Sequence, residues 1–255
     1  MTQPVPTTPR PAGTRPPELE ILIPAYNEEH RLPTTLRALG AHLSRLPLRT
    51  ALRVIDNGSS DRTAEAVDRV AAEGVPVTVT GCAQRGKGAA VKRGVTTSPA
   101  RWTGFCDADL PTPVTAVDHA VRLLLEGWPV VVGSRRCLGA QLPVRQPLHR
   151  RLGGAGFRLL TRRLSGRVTD TQCGLKFFRT SVARELFAGV SCTGFAFDVE
   201  AIARARTLGV KVVEFPVAWS DQPGSRFRAG RDGLRVAGEL WHLHRARHGT
   251  QRPTP

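Results

Sequence analysis

At 255 residues the chain is long enough for one sizeable α/β domain. No window approaches the ~18 uninterrupted apolar residues that a spanning helix needs, and the N-terminus has no apolar core, so we predict neither a transmembrane segment nor a secretory signal. The net charge of +16, from 37 Lys and Arg against 21 Asp and Glu, fits a solvated arginine-rich surface, nucleic acid, an anionic membrane surface or phosphate-bearing substrates.

Both ends of the chain and the cysteines indicate a single reduced domain. We predict disordered tails at residues 1–18, which are rich in proline, and at 249–255, on either side of a domain at 19–248. The five cysteines are scattered singly, without a CxxC pair. This pattern favours free thiols in the cytoplasm over a disulfide framework or a structural zinc site.

Short apolar runs alternate with amphipathic segments through the first half of the chain. The predicted strands are Leu19–Ile23, Ala51–Ile55, Val75–Val79, Trp102–Cys106 and Pro129–Val132. The predicted helices are Leu32–Leu43, Thr63–Ala72, Lys87–Val95 and Thr115–Glu126. This alternation predicts an α/β fold with a mainly parallel central sheet flanked by helices, in which ligands bind beyond the carboxyl ends of the strands.

The second half is less regular. We predict helices at His149–Leu164, Val182–Phe187, Phe197–Leu208 and about Asp232–Arg247, and a strand at Val210–Phe215. The last helix carries Leu234, Leu240, Trp241 and Leu243 among arginines, which fits either an anionic bilayer surface or core packing.

Polar clusters follow two strands. ILIPAYNEE (21–29) presents Tyr26, Asn27 and Glu28 after a proline that should end the strand ladder. VIDNGSSDRT (54–63) offers Asp56 at a strand tip as a hydrogen-bond acceptor for a base or ribose, with Asp61 or Ser60 as a helix cap.

Two further motifs suggest a site for a phosphate and a cation. RGKGAAVKRG (85–94) opens a helix with glycines around Lys87, a weak indication of an anion site at a helix N-terminus. FCDADLPTP (105–113) places Asp107 and Asp109 just after a strand, where two carboxylates held close together would repel each other. A divalent cation removes that repulsion, and Mg²⁺ or Mn²⁺ typically links carboxylates to substrate phosphates.

The order of these motifs resembles that of inverting family 2 glycosyltransferases with a GT-A fold. VVGSRR (131–136), DTQCGLKFFR (170–179), GFAFDVE (194–200) and WSDQPGSRF (219–227) are similar to the dolichyl-phosphate glucosyltransferases and their bacterial polyprenyl-phosphate relatives. The resemblance covers about residues 19–245 and implies transfer of a hexose, with glucose from UDP-glucose as the expected donor.

The resemblance also implies roles for individual residues. The residues expected to contact the nucleotide-sugar are Pro24, Ala25, Tyr26, Glu28, Asp56, Lys87, Asp107, Ala108 and Arg226. Asp109 would bind the metal ion directly, with Asp107 beside it. Arg135 and either Arg150 or Arg151 would meet the phosphate of a polyprenyl acceptor. Pro111 stands where mannosyl relatives carry a glutamine ligand, so the third metal ligand stays open. Arg226 stands where relatives carry lysine, and its guanidinium could still bind a diphosphate with a different geometry.

The implied reaction is a direct displacement in which the ionised acceptor phosphate attacks and UDP leaves, so no strong general base is needed. Asp170 and Asp198 are then expected to orient the sugar or a loop, although an ion pair with a nearby arginine and a helix-start cap are the respective alternatives. The nine arginines between 131 and 170 would neutralise the acceptor head (Arg135, Arg136, Arg145, Arg150, Arg151, Arg158, Arg162, Arg163, Arg167).

Three functions remain open at this point. The first is the glucosyltransferase, expected in the cytoplasm as a peripheral protein at the inner face of the membrane. The second is a transferase of the same fold that uses another donor, such as GDP-mannose, or a soluble acceptor. The third is a basic nucleic-acid-binding protein. Such a protein would need aromatic residues among the arginines for base stacking, whereas residues 131–170 hold only one, Phe157.

Overall fold

The computed structural model describes residues 15–140 and 161–220, together with residue 157 and positions 236, 238–241, 243 and 245 of a C-terminal helix. The expected tails, Arg150, Arg151 and Arg226 lie outside these residues, apart from positions 15–18, which contain no helix or strand. No helix in the described part of the chain is both long and apolar enough to cross a bilayer.

Seven strands form one sheet. They are β1 (Leu19–Ala25), β2 (Thr50–Asp56), β3 (Val77–Gly81), β4 (Trp102–Phe105), β5 (Val130–Ser134), β6 (Lys176–Arg179) and β7 (Val212–Pro216). Their order is β3-β2-β1-β4-β6-β5-β7, and only β6 runs antiparallel to its neighbours. The mainly parallel sheet predicted from the sequence is therefore confirmed, whereas β6 was not predicted.

Six longer helices flank the sheet within residues 15–140 and 161–220. They are α1 (Leu32–Leu43), α2 (Thr63–Ala72), α3 (Lys87–Thr97), α4 (Ala116–Leu125), α5 (Thr180–Ala188) and α6 (Phe197–Thr207). A shorter helical stretch occupies residues 161–165. The predicted bounds of α1 and α2 are confirmed, while the third strand begins at Val77 instead of Val75, because Pro76 precedes it.

The sheet has an apolar cluster on each face, as expected of a layer covered on both sides. Along β1, Ile21 and Ile23 belong to one cluster and Leu22 to the other, and along β6 the neighbours Phe177 and Phe178 are divided in the same way. This alternation follows from the two-residue period of a strand. It explains why apolar residues follow one another directly in these strands.

A third, smaller cluster holds the C-terminal helix against α6. Val236 and Leu240 are buried there with Leu164 and Val199. Core packing is therefore confirmed for Leu240, which had been open to a membrane-surface interpretation. Trp241 lies on the outer side of the helix with 55% of its surface exposed.

The topology brings the sequence motifs to one edge of the sheet. The carboxyl ends of β1, β2, β4 and β5 lie at that edge, because these strands are parallel. Since β6 runs in the opposite direction, its first residue, Lys176, lies at the same edge, paired with Phe105 of β4 and Val132 of β5.

Pro24 does not end β1, which continues to Ala25 beside β2. The amide of Asn57 donates to Ala25 O and the amide of Cys106 to Leu22 O. Alternate residues face the same neighbour, so the missing donor of Pro24 faces the β4 side beyond Phe105, where pairing has already ended. The proline stops the ladder on this side only.

A glycine allows β4 and β6 to approach each other. Gly104 lies opposite Phe177, and a methyl group at Gly104 would overlap the Phe177 ring. We predict that Gly104→Ala lowers the free energy of unfolding by about 1–3 kcal/mol, the usual cost of overpacking. Urea denaturation measures this, and Gly238→Ala, where a methyl group would meet open space, is the control. Equal stability of Gly104→Ala and the wild type would contradict the packing described for this strand pair.

Candidate active site

The centre of the site is a contact between Asp107, just after β4, and Lys87, the first residue of α3. Lys87 Nζ lies 2.5 Å from Asp107 Oδ1. Burial alone would raise the pKa of the Asp107 carboxyl, but the ammonium of Lys87, with weaker help from Lys176 and Arg135, brings the pKa below its ordinary value. Asp107 is therefore a carboxylate at neutral pH.

The backbone at Gly174 closes the other side of Asp107. A methyl group at Gly174 would overlap Asp107 Oδ2, so a side chain at this position of DTQCGLKFF would force the carboxylate to move. The Asp107 carboxylate is therefore enclosed between the Lys87 ammonium and the chain that leads into β6.

Asp109 lies beside this pair in a less compensated position. Burial and the charge of Asp107 raise its pKa, while Arg31 opposes the shift from 3.8 Å away. Arg31 also donates two hydrogen bonds to Glu28, at 2.8 and 2.7 Å. The structure thus brings Glu28 and Asp109 together through an arginine that the sequence analysis missed.

The turn that carries the acids has a constrained backbone. Leu110 adopts a positive φ of 43°, which is uncommon for a non-glycine residue. The carbonyl of Ala108 accepts a hydrogen bond from Thr35 Oγ1 at 2.7 Å, and the amide of Leu110 donates to Asp107 O. These contacts fix the loop that presents both carboxylates.

The acid pair supplies hard oxygen donors of the kind that Mg²⁺ and Mn²⁺ prefer. The raised pKa of Asp109 indicates a shortage of positive charge there, which a divalent cation would relieve. Within the described ranges, no group of three or more His, Cys, Asp or Glu side chains is arranged to hold a metal ion.

The ends of β1 and β2 form a hydrogen-bonded rim next to the acids. Asp56 is buried and accepts hydrogen bonds from the amide and hydroxyl of Ser59, while the amide of Asn27 donates to Ser59 Oγ at 2.9 Å. Asn57, which the sequence analysis did not single out, connects this rim to the next loop by accepting from the amide of Gly86 at 2.6 Å. Tyr26 is 47% exposed at the same rim.

The prediction of an anion site at the N-terminus of α3 is wrong for two of the backbone amides there. Gly88 and Ala89 donate to the carbonyl of Thr193, at 2.8 and 3.3 Å. Gly86, with φ of 122°, packs so close to the same carbonyl that a side chain would overlap it. These amides therefore hold the helix against residues 191–196 and are not directed at a ligand.

Two glutamates hold the loop at residues 191–196 in turn. Glu200 of α6 accepts hydrogen bonds from the amides of Ser191 and Cys192 at 2.7 to 3.0 Å. Glu239 of the C-terminal helix accepts from the amide of Ala196 at 3.1 Å. The GFAFDVE motif thus supports the helix that carries Lys87.

Asp198 lies at the start of α6 and is 4% exposed. Its Oδ1 is 2.8 Å from Nζ of Lys176, which is 1% exposed. The Lys176 ammonium also donates to Cys173 O at 2.5 Å and lies 5.4 Å from the centre of the Phe105 ring. Lys176 was missed in the sequence analysis, although a lysine between apolar residues in KFF is an unusual pattern for a buried strand.

Arg135 and Asp170 form a bidentate ion pair. Arg135 Nε donates to Asp170 Oδ2 at 2.7 Å and Nη2 to Oδ1 at 2.8 Å, and the Arg135 amide adds a third bond at 3.0 Å. The Trp219 ring lies 4.5 Å from the guanidinium. The alternative of an ion pair with a nearby arginine is confirmed for Asp170.

Comparison with known proteins agrees with this geometry. The profile described as Glycosyl transferase family 2 matches residues 20–187. The dolichyl-phosphate beta-glucosyltransferase of Drosophila melanogaster is 31% identical over 242 residues, or 89% of this chain and 74% of the relative. The human protein of that name is 28% identical over 257 residues, or 90% of this chain and 79% of the relative.

Among solved structures, glucosyl-3-phosphoglycerate synthase from Mycobacterium tuberculosis in complex with uridine diphosphate matches with a TM-score of 0.66. The match has 19% identity and covers 88% of this chain and 79% of that one. The fold and the site define a glycosyltransferase of the GT-A class. The chain belongs to glycosyl transferase family 2.

Breaking the Arg135–Asp170 pair from one side should destabilise the fold. Asp170→Asn removes one charge from a buried pair, and we expect a loss of about 3–5 kcal/mol in the free energy of unfolding at pH 7. The pKa of Asp170 is lowered in the folded protein by Arg135, in spite of burial. The stabilisation is therefore complete above the ordinary pKa of 3.8 and is lost as the pH falls through the lower, folded-state pKa. Denaturation at several pH values measures this, and a loss that does not shrink in acid would contradict the assignment.

Proposed function

We propose that this enzyme transfers a hexose, glucose from UDP-glucose, to a polyprenyl or dolichyl phosphate. The observation that carries the proposal is the preassembled acidic site beyond β4, where Asp107 and Asp109 lie beside Lys87 and Arg31. The curated relatives named dolichyl-phosphate beta-glucosyltransferase support the glucosyl and lipid assignment. The uridine diphosphate and UDP-glucose bound in structures of the Mycobacterium tuberculosis synthase support the donor.

On the donor side, the proposed nucleotide-sugar residues are those at the ends of β1, β2 and β4 together with Lys87. Pro24, Ala25, Tyr26, Glu28, Asp56, Asp107 and Ala108 all lie at the sheet edge described above. Glu28 would act through Arg31, because both of its oxygens accept from that guanidinium. Arg226 is proposed for the diphosphate and lies outside the described residues.

The proposed cofactor is Mg²⁺ or Mn²⁺, held by Asp109 with Asp107. A bound divalent ion would neutralise charge on the departing diphosphate. Lys87 and Arg31 add fixed positive charges at the same edge of the sheet. Positioning and charge neutralisation are therefore the main contributions that this chain would make to the reaction.

On the acceptor side, Arg135 and Arg150 or Arg151 are proposed to meet the lipid phosphate. Because Asp170 engages two nitrogens of Arg135, the guanidinium is held in a fixed orientation and part of its charge is compensated. We propose that Asp170 orients Arg135 and that neither Asp170 nor Asp198 abstracts a proton, since an acceptor phosphate is already ionised. The protein would act as a peripheral protein on the cytoplasmic face of the membrane.

A donor and acceptor screen tests the function. Purified full-length protein with Mn²⁺ is given radiolabelled UDP-glucose, UDP-galactose or GDP-mannose, and either a short polyprenyl phosphate or 3-phosphoglycerate. We expect label from UDP-glucose in butanol-extractable lipid. Transfer only to 3-phosphoglycerate would reject the lipid acceptor, transfer only from another donor would reject UDP-glucose, and salt-sensitive DNA binding without any transfer would favour the nucleic-acid alternative.

The metal assignment has its own test. Asp109→Asn should abolish Mn²⁺-dependent binding of UDP, because the carboxylate proposed to bind the ion directly is removed. Asp118→Asn on α4, whose partner is His42 at 2.8 Å, is the control for a lost carboxylate and should bind as the wild type does. Isothermal titration calorimetry measures both, and unchanged UDP affinity in Asp109→Asn would contradict the assignment.

A further inference from the structure

Two lysine–aspartate pairs lie next to each other at the acidic site, and Asp107 belongs to the first of them. The first is Lys87 with Asp107, at 2.5 Å, and the second is Lys176 with Asp198, at 2.8 Å. The first pair is partly open, with exposed side-chain fractions of 21% and 23%, whereas the second is closed, with 1% and 5%. The four charges sum to zero, so the group is balanced before any ligand binds.

The two pairs are neighbours in space and interact across the group. Gly88, next to Lys87, packs so closely on Phe197, next to Asp198, that a methyl group would lie 2.6 Å from Phe197 Cβ. Lys176 pairs in register with Phe105, two residues before Asp107. Lys87 is also attracted by Asp198, and Asp107 by Lys176.

We propose that the Lys87 ammonium occupies the position of the metal ion beside Asp107 until the nucleotide arrives. Asp198 and Lys176 are positioning residues: Asp198 attracts Lys87 when the ion displaces it, and Lys176 holds Asp198 in place. This inference rests on the proposed function, because it takes Asp107 and Asp109 as the cation site. It adds an order of events: metal and nucleotide bind together, and the free ion binds weakly.

Competition follows from the way in which Asp107 is enclosed. One oxygen contacts the Lys87 ammonium and the other faces the backbone of Gly174, where there is no room even for a methyl group. A cation that approaches Asp107 from the side of Lys87 would therefore compete with the ammonium for this carboxylate. A displaced ammonium needs a new anionic partner, since leaving it buried and uncompensated is costly.

Two anions are available to the displaced lysine. The diphosphate of the donor is one, and it arrives with the metal ion. Asp198 is the other, and its Oδ1 lies 2.8 Å from the Lys176 ammonium, which holds the carboxylate in position. The Lys87 ammonium would thus move from Asp107 towards Asp198 and the diphosphate, and it would stay close to a negative charge throughout.

Lys87→Met tests the competition. We expect it to bind Mn²⁺ alone about tenfold more tightly than the wild type, because a neighbouring cation has been removed from Asp107. The same variant should bind UDP with Mn²⁺ more weakly, because the diphosphate loses its lysine. Electron paramagnetic resonance of free Mn²⁺ measures the first affinity, and calorimetry with UDP measures the second.

Lys92→Met is the matched control on the same helix. Its ammonium donates to Val190 O at 2.7 Å, away from the acids, so both affinities should equal those of the wild type. Opposite signs for metal and nucleotide in Lys87→Met are not expected of a residue that only supports the fold. Mn²⁺ affinity that is unchanged or weaker in Lys87→Met would overturn the proposal.

Asp198→Asn tests the receiving carboxylate. We expect it to weaken Mn²⁺ binding in the wild-type background by more than in the Lys87→Met background, since only the former has a lysine to receive. If Asp198→Asn lowers the Mn²⁺ affinity by the same factor in both backgrounds, Asp198 acts only through the electrostatic field of its charge. That result would overturn its assigned role. If Asp198→Asn does not fold, the double variant Lys176→Met, Asp198→Asn removes both charges of the pair and is compared in the same two backgrounds.

The outcomes also separate this inference from the proposed function. Loss of Mn²⁺ binding in Asp109→Asn together with no gain in Lys87→Met would keep the metal site and reject the competition. Wild-type Mn²⁺ and UDP binding in Asp109→Asn would reject the metal site itself, and this inference with it.

Discussion

The contact on which the rest of the site depends is the enclosure of the Asp107 carboxylate between the Lys87 ammonium and the backbone of Gly174. It joins three parts of the chain that are far apart in sequence: the end of β4, the start of α3 and the approach to β6. Each part is constrained for that purpose. A side chain at Gly174 would force the carboxylate to move, α3 is held at its N-terminus by the Thr193 carbonyl, and β6 runs against its neighbours so that Lys176 begins at this edge.

Four acids around the site have a basic partner of their own. Asp107 pairs with Lys87, Asp198 with Lys176, Asp170 with Arg135, and Glu28 with Arg31. Buried ion pairs contribute little net stability compared with apolar packing, because both charges lose their hydration. Apart from Lys87, which is proposed to move, such pairing instead fixes side chains in place before the substrate arrives, which lowers the cost of reorganisation during the reaction. Burial raises the pKa of both Asp109 and Asp198. The Asp109 side chain is 23% exposed and that of Asp198 only 5%, so Asp109 is the one of the two that an added cation can reach.

Apolar periodicity was sufficient to predict the sheet, α1 and α2, because strands buried on both faces and amphipathic helices have clear patterns. It was insufficient for β6, since four residues that begin with a buried lysine and lie inside a polar motif do not resemble a strand. The acids at strand ends could be predicted from residue type and position. Their partners were not predicted, because Lys176 and Gly174 meet Asp198 and Asp107 only through tertiary contacts. Arg31 is three residues from Glu28 but reaches Asp109 only through the fold. Likewise, the glycines around Lys87 suggested an anion site, whereas Gly88 donates to a carbonyl about a hundred residues further along the chain.

The central claim is that the acidic pair beyond β4 takes a divalent cation together with a nucleoside diphosphate, and that Lys87 gives way to the cation. A crystal structure of the protein with Mn²⁺ and UDP, with anomalous diffraction data collected to locate manganese, tests this most directly. The account predicts a manganese peak bound by Asp109 and Asp107, a diphosphate on the same ion, and Lys87 moved off Asp107. Bound UDP with no manganese at these carboxylates and the Lys87–Asp107 contact intact would contradict it.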